Sequence, residues 1–259
     1  MQHFERTARR IPEAPAVVHG AAVLGYRELD RRANRLAWRL HAAGAGPGGV
    51  VGVRLPRGLP EYVALLGVLK AGAAYRVLPG GAPTTGLTAV LADEAGPGEP
   101  GGPETGPAVA VDPAAPCCHT ANRVFTHQDV LAFLRVAAPG FGLAEGDRVY
   151  QGTPLTLEHH LYEVWPCFAA GATVVAPGGE DDLDGQLAGQ RVTVLCGADA
   201  QLRALTGVPA TVRCVLVHGA PLPTSLVRRW ARPGRRILSC SGPTRAARWG
   251  SAHQAREGR

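Results

Sequence analysis

The sequence contains almost no lysine and few aromatic residues. Its 27 basic residues are one lysine, Lys70, and 26 arginines, which are spread along the chain. A formal net charge of +6 would suit nucleic-acid binding, but such surfaces combine clustered charge with interleaved aromatic residues. The densest arginine runs, residues 31–39 and 228–236, fall on or just after amphipathic helical patterns. We therefore predict solvated helix faces and no nucleic-acid partner.

Long hydrophobic runs are also missing. No stretch of about eighteen uninterrupted apolar residues, the length of a membrane-spanning helix, occurs in the sequence. Residues 1–10 are charged where a secretory leader would be apolar. The six cysteines form no CxxC pair, so reduced thiols are expected. The sequence thus predicts a soluble, cytoplasmic protein without a membrane partner.

The composition favours a folded α/β protein. A chain of 259 residues that is 46% hydrophobic can bury a sizeable core, which here must consist mainly of Ala, Val and Leu. Amphipathic patterns and short β-branched runs alternate along the chain. In the first half they predict helices over residues 28–43 and 61–71 and strands over residues 50–55 and 73–78.

The same alternation resumes after a segment rich in glycine and proline. A helix is predicted from Thr126, with Asp129 at the capping-box position. The later helices are predicted over residues 158–170, 182–189 and 223–230, and the later strands over residues 147–151, 172–176, 192–196, 212–218 and 235–239. Strands separated by helices imply parallel sheets that helices cover on both faces.

These patterns divide the chain into two βα-repeat lobes. We predict a first lobe over residues 1–95, a loose Gly/Pro-rich connection over 96–116 with at most one short strand at 108–111, and a second lobe over 117–245. A polar tail follows over residues 246–259.

Motifs for known chemistry are weak when read one at a time. Residues 44–49 spell GxGxxG, but a helix precedes them and a strand follows, the reverse of a dinucleotide-binding fingerprint. Adjacent His159 and His160 cannot reproduce the one-turn histidine spacing of a metalloprotease, and the group of Cys117, Cys118, His119 and His127 lacks a convincing ligand spacing. No GxSxG nucleophile motif is present. The residues alone predict neither a catalytic nor a metal site.

Longer segments carry more information. Residues 4–18 (FERTARRIPEAPAVV), 24–40 (LGYRELDRRANRLAWRL), 66–79 (LGVLKAGAAYRVLP), 162–175 (YEVWPCFAAGATVV) and 215–223 (VLVHGAPLP) resemble, in order, the N-terminal core of an adenylation domain from nonribosomal peptide synthetases. These domains belong to the adenylate-forming enzymes, which join a carboxylate to ATP. The resemblance implies the α/β fold of that core. It also implies a barrel-like subdomain and a C-terminal domain that this sequence does not contain, so we expect a truncated, degenerate member.

The resemblance also predicts where phosphate chemistry is weakened. The family has a loop rich in Ser, Thr and Gly that ends in Pro-Lys-Gly, just upstream of the Thr-His matched by Thr126 and His127. Here residues 114–123 read AAPCCHTANR and contain no glycine or lysine. Where the family shows Asn-x-Tyr-Gly-Pro-Thr-Glu, this sequence has Ser241 for the tyrosine and Arg245 for the glutamate that serves magnesium. The family's catalytic lysine lies in the C-terminal domain, and no lysine other than Lys70 exists here to replace it.

The candidate site residues follow from the same resemblance. Leu157 and Glu158 match the family's Phe-Asp pair, so Glu158 is the candidate for binding the substrate amino group. The candidate nucleotide-binding residues are Gly219, Ala220, Gly242, Pro243 and Thr244. No catalytic residue, metal ligand or cofactor is expected, with ATP and Mg only if some activity remains.

Three functions stay open. The leading hypothesis is a non-catalytic adenylation-like protein of a peptide-natural-product pathway. Its expected partner is a carrier protein, a synthetase component or, in a homo-oligomer, a second copy of the chain. The alternative is one half of a split adenylating enzyme, and the third is a folded product of a decaying gene.

Overall fold

The computed structural model describes residues 1–92, 103–136, 138–178, 182–218, 223–240 and 253–254. Helices and strands alternate through most of the chain. The helices are α1 (Gln2–Arg10), α2 (Tyr26–Ala42), α3 (Leu59–Lys70), α4 (His127–Val136), α5 (Ala138–Phe141), α6 (His160–Ala170), α7 (Leu183–Gly189), α8 (Asp199–Arg203) and α9 (Thr224–Trp230). The strands are β1 (Pro15–His19), β2 (Ala22–Gly25), β3 (Val50–Val53), β4 (Ala74–Val77), β5 (Ala89–Leu91), β6 (Pro116–His119), β7 (Val124–Thr126), β8 (Arg148–Gln151), β9 (Thr173–Val175), β10 (Val194–Ala198), β11 (Cys214–His218), β12 (Arg236–Cys240) and β13 (His253–Gln254).

Two sheets organise these elements. The larger sheet has the order β13-β12-β11-β10-β8-β9-β1-β2, and the smaller has the order β5-β3-β4-β6-β7. Strands β12, β11, β10, β8, β9 and β1 run parallel, as do β5, β3, β4 and β6. Antiparallel strands lie at the edges: β2 and β13 in the larger sheet, β7 in the smaller. The predicted α/β class with mainly parallel sheets is confirmed.

The sheets do not follow the division of the chain predicted from the sequence. The hairpin β1–β2, from the predicted first lobe, joins the larger sheet through the pairing of β1 with β9. The hairpin β6–β7, from the predicted second lobe, joins the smaller sheet through β4. Local sequence periodicity does not show which sheet a hairpin joins, because strand pairing depends on tertiary contacts.

Packing of α2 on α3 shows how a small residue fixes the core. Leu29, Leu36 and Leu40 lie on the buried face of α2, while α3 is buried on nearly all sides. At Gly67 of α3, an added Cβ would lie 2.6 Å from Cδ2 of Leu36. Glycine at this position therefore permits the close approach of the two helices.

The Gly/Pro-rich connection is anchored where the structure describes it. The backbone carbonyl of Glu104 accepts a hydrogen bond from the Asn34 side chain, and the indole N–H of Trp38 donates to the carbonyl of Thr105 at 2.8 Å. Residues 108–111 form no strand, which agrees with the predicted limit of at most one short strand there. Polar groups on α2 therefore bind the backbone of the predicted connection at Glu104 and Thr105.

The arginine run over residues 228–236, predicted to form a solvated helix face, makes many contacts with the protein backbone. Arg229 donates to the carbonyls of Leu205 and Thr206 at 2.8 and 2.7 Å. Arg235 donates to the carbonyls of Val208, Pro209, Val212 and Trp230 at 2.7–3.1 Å. These arginines satisfy backbone acceptors of the segment 205–212, so they are not simply a solvated helix face.

Within the described residues no helix combines the length and apolar character needed to cross a bilayer.

Candidate functional site

The carboxyl ends of parallel strands border a buried region with several polar side chains, among them Gln151, Glu163 and His218. Strands β8, β10 and β11 run in the same direction and end at Gln151, Ala198 and His218. Ligands of open α/β sheets bind beyond this edge. Just after β8, a Cβ at Gly152 would lie 2.3 Å from the Cys196 carbonyl oxygen, so the chain leaves the sheet in close contact with β10.

Glu163 of α6 is the centre of this region. Its side chain is fully buried and accepts hydrogen bonds from Thr153 Oγ1 at 2.6 Å, from Gln151 Nε2 at 2.7 Å and from the Thr153 amide at 3.2 Å. Nε2 of His218 lies 3.3 Å from Oε1 of Glu163. Burial alone would raise the pKa of Glu163, but the hydrogen bond and charge of His218, together with Thr153 and Gln151, lower it below its ordinary value. Glu163 is therefore held as a carboxylate.

Aromatic rings enclose His218. Its ring centroid lies 5.1 Å from that of His159 and 6.2 Å from that of Tyr162. All three residues border the end of β11 or the start of α6. These two rings therefore pack beside the histidine that contacts Glu163.

His160 connects this region to the smaller sheet. Nδ1 of His160 lies 2.5 Å from the carbonyl oxygen of Leu157, and a carbonyl can only accept, so Nδ1 carries the proton. Nε2 then accepts from the hydroxyl of Tyr75, at 2.8 Å. Burial is the main reason why the pKa of His160 falls to about 4. A neutral histidine thus links β4 to α6.

Glu158, the candidate for the substrate amino group, lies in the turn before α6. It is half-buried, and its backbone carbonyl accepts from the amide of Leu161 at 3.0 Å. Its carboxylate has no hydrogen bond or ion pair with another described residue. Burial and then His218 lower the pKa of the adjacent His159, while Glu158 opposes this shift. Among the described residues, no hydrogen-bond or ion-pair partner of the Glu158 carboxylate would therefore compete with a ligand.

The residues that the resemblance aligns with the family's phosphate loop include a tight hairpin turn. Residues 120–123 form the whole turn between β6 and β7. The Thr120 amide donates to the Arg123 carbonyl at 2.8 Å, the Arg123 amide donates to Thr120 Oγ1 at 3.2 Å, and the Ala121 amide donates to the Thr156 carbonyl at 3.4 Å. A phosphate-cradling loop needs several free amides that point at the anion. The residues of this turn do not fit a triphosphate.

Lys70 has a structural environment. Its Nζ lies 2.8 Å from Oε1 of Glu5 and 2.9 Å from Oδ1 of Asp30, and its side chain is 4% exposed. It joins α3 to α1 and α2 and is not available for chemistry at the sheet edge.

The remaining candidates are distributed as follows. Gly219, Ala220, Gly242, Pro243 and Thr244 lie outside the described residues; in the chain they come just after β11 and β12, which end at His218 and Cys240. The cysteine and histidine groups considered as metal ligands are not assembled. Among the described residues no group of three or more His, Cys, Asp or Glu could hold a metal ion.

Sequence reasoning missed Glu163 and His218. Both had a local signal: Glu163 is the single acid in the apolar stretch of α6, and His218 ends the otherwise apolar strand β11. A polar residue within such a stretch must find a partner when buried. The identity of the partner could not be read from the sequence, because 55 positions separate the two residues in the printed numbering.

Comparisons with known proteins agree with this architecture. The family model described as "AMP-binding enzyme" matches residues 4–95 and 124–258. CymA of Salinispora arenicola, described as a "probable non-canonical nonribosomal peptide synthetase", is 36% identical over 93% of this chain and 3% of its own length. Novobiocin biosynthesis protein H of Streptomyces niveus is 32% identical over 93% of this chain and 48% of its own length. The chain therefore spans less than half the length of these relatives.

Solved structures give the same result. The nonribosomal peptide synthetase FmoA3, in its form bound to α-methyl-L-serine-AMP, matches 99% of this chain with a TM-score of 0.84 and 25% identity, over 34% of that chain. The N-terminal subdomain of Klebsiella oxytoca NpsA shares the fold, with a TM-score of 0.78 and 19% identity over 94% of this chain and 72% of that chain. The family model covers well over half of the sequence, and the relatives act in natural-product pathways. The chain belongs to the AMP-binding enzyme family and corresponds to the N-terminal adenylation core of nonribosomal peptide synthetases.

Proposed function

We propose that this protein is a non-catalytic adenylation-like component of a nonribosomal peptide pathway, and that it acts as a partner or scaffold for an assembly-line component. The observation that carries the proposal is the hairpin turn at residues 120–123. Three of its amides donate to acceptors within the protein, whereas adenylate formation depends on stabilising charge on phosphate oxygens.

Two further observations support the loss of catalysis. The family model leaves residues 96–123 unmatched, and this gap includes the hairpin turn. In the sequence, Arg245 stands where the resemblance implies a glutamate that serves magnesium, so a cation replaces an anion. Groups that act together on one step fail together, and both differences concern the phosphate and its metal.

The test of this proposal is ATP–pyrophosphate exchange with a broad panel of amino acids and aryl acids. An active adenylation domain is the positive control, and calorimetry with ATP measures binding separately. We expect exchange at the level of the no-enzyme control. Exchange above that level with any acid in the panel would overturn the non-catalytic assignment.

A scaffold role predicts a physical partner. We expect the purified protein to form a complex with a carrier protein or synthetase component encoded beside it, or to form a homo-oligomer, as measured by sedimentation of the separate and mixed proteins. A monomer that binds none of these proteins would favour the decayed-gene hypothesis.

The alternative function, half of a split adenylating enzyme, is favoured by one observation. The Glu158 carboxylate is free of ion pairs with described residues and could bind the ammonium group of an amino acid. In this case exchange activity would appear only after a second chain is added. The Glu158→Ala variant would then lose activity with amino acids, and Glu158→Asp would keep more of it.

A further inference from the structure

A groove on the molecule has no role in the functions discussed above. It has a volume of about 850 Å³ and lies between the start of α1, the end of α3, the segment 106–113 and α4. Ligand sites in proteins commonly have volumes of about 300–1,000 Å³. Its size alone permits a small molecule.

The groove carries an excess of positive charge. Arg6 and Arg135 line it, and neither forms a hydrogen bond or ion pair with another described residue. Glu5 and Lys70 also line it, but they pair with each other at 2.8 Å. Two uncompensated guanidinium groups therefore face one cavity, an arrangement that favours an anion.

Two histidines lie beside these arginines. His3 and His127 both line the groove, and the buried Nε2 of His127 has no hydrogen-bond partner among the described residues. Burial, then Arg6 and other positive charges that include Arg135, lower the pKa of His3. His3, Arg6 and Arg135 all line the same groove.

The inner end of the groove is apolar. A smaller cavity of about 80 Å³ shares Met1, His3, Leu69, His127 and Leu131 with the groove, so the two adjoin. Phe4, Leu134, Trp165 and Phe168 form part of its wall. The combined space has a cationic mouth and a small hydrophobic end.

We propose that this groove binds a small amphiphilic anion, a carboxylate or phosphate monoester on a short apolar chain. Arg6 and Arg135 bind the anionic group, His127 donates or accepts one further hydrogen bond, and the chain enters the pocket beside Trp165. The small volume of that pocket favours a free molecule over a lipid held in a bilayer.

The test uses octyl phosphate below its micelle concentration, with inorganic phosphate as the probe that lacks a chain. Each methylene that becomes buried should strengthen binding about fourfold, from a transfer free energy of about 0.8 kcal/mol. We expect calorimetry to show saturable binding of octyl phosphate, at least about tenfold tighter than that of inorganic phosphate. Equal affinities for the two probes would overturn the proposal.

Substitutions of arginine test whether Arg6 and Arg135 bind the anionic group. The double variant Arg6→Ala/Arg135→Ala should weaken binding of octyl phosphate by about tenfold or more, because two charge-assisted hydrogen bonds are lost. Arg9→Ala, which removes an exposed arginine of α1 outside the groove, should leave binding unchanged. An equal loss in both variants would point to non-specific charge attraction and overturn the proposal.

A measurement on the unmodified protein guards against misfolded variants. Because a bound anion favours the protonated imidazole, octyl phosphate should raise the pKa of His3 in an NMR titration. Sedimentation with phosphatidylglycerol vesicles distinguishes the source of the ligand. Binding to vesicles without binding to soluble octyl phosphate would overturn the proposal.

Discussion

Nε2 of His218, the last residue of β11, lies 3.3 Å from Oε1 of Glu163 in α6, and neither side chain is more than 1% exposed. This pair joins the centre of the larger sheet to the helix that covers it. Thr153 and Gln151 donate further hydrogen bonds to the same carboxylate. A buried carboxylate with this many donors is costly to disturb, since its removal leaves several polar groups without a partner.

Replacement of Glu163 by leucine should therefore destabilise the protein strongly. Loss of this carboxylate leaves several buried donors unpaired, at about 1–3 kcal/mol for each group, and the free energy of unfolding in urea measures this loss. Glu158→Leu is the matched control from the same segment, because Glu158 is half-buried and has no described partner; its effect should stay within about 0.5 kcal/mol. Similar losses in the two variants would contradict the central role of the pair.

His160 should make stability depend on pH in the acid range. Its pKa is about 4 in the folded protein against an ordinary value of 6.5, so the unfolded chain binds the proton more readily between these values. Its contribution is present above pH 6.5 and is lost as the pH falls towards 4, by at most about 3 kcal/mol. The His160→Gln variant keeps a neutral side chain and should lack this part of the slope. Parallel curves of unfolding free energy against pH for both proteins would refute the prediction.

Glu61 should act in the opposite direction. Burial raises its pKa to about 7, although Arg57 and the Gly58 amide oppose the shift. A raised pKa in an acid means that stability present below pH 4.5 is lost as the pH rises through 7. We expect Glu61→Gln, which keeps an acceptor for the Gly58 amide, to be more stable than the unmodified protein at pH 8 by about 2–3 kcal/mol. At pH 4 the two should be alike, and thermal unfolding at both pH values provides the measurement.

Arg235 should hold the segment 205–212 against the end of α9. It donates hydrogen bonds to the carbonyls of Val208, Pro209 and Val212. Hydrogen bonds to a charged group contribute about 1.5–3 kcal/mol each when buried, and partial exposure reduces this. Arg235→Ala should therefore cost about 2 kcal/mol and speed proteolysis within residues 205–212. Arg228→Ala, at an exposed position of α9, should change neither the free energy of unfolding nor the rate of proteolysis.

Much of the fold could be predicted because its elements carry a local signal. The buried face of α2 repeats Leu29, Leu36 and Leu40 at helical spacing, and β11 is a continuous apolar run up to His218. Those patterns were sufficient to predict both elements and the parallel class of the sheets. The short strands β2, β5 and β7 were not predicted, because three or four residues provide too few positions for a period to be recognised.

The candidate site divides in the same way. The match of Leu157 and Glu158 to the family's motif predicts a substrate-binding role for Glu158, and that role stays a prediction; the structure leaves its carboxylate without a described partner. The loss of glycine in residues 114–123 was also visible in the sequence. The hairpin that replaces the loop was not, because it depends on the pairing of β6 with β7 and on a hydrogen bond from Ala121 to Thr156.

The sequence by itself determined much of the alternation of helices and strands, the family resemblance and the absence of glycine from residues 114–123, because each depends on neighbouring residues. Only the tertiary structure decided that β1 and β2 join the larger sheet, that Lys70 is held between Glu5 and Asp30, and that Glu163 pairs with His218. These relationships join residues far apart in the chain. They form because buried charges and strand edges need hydrogen-bond or ion-pair partners. The local sequence shows that a buried polar residue needs a partner, but it does not show which distant residue that partner is.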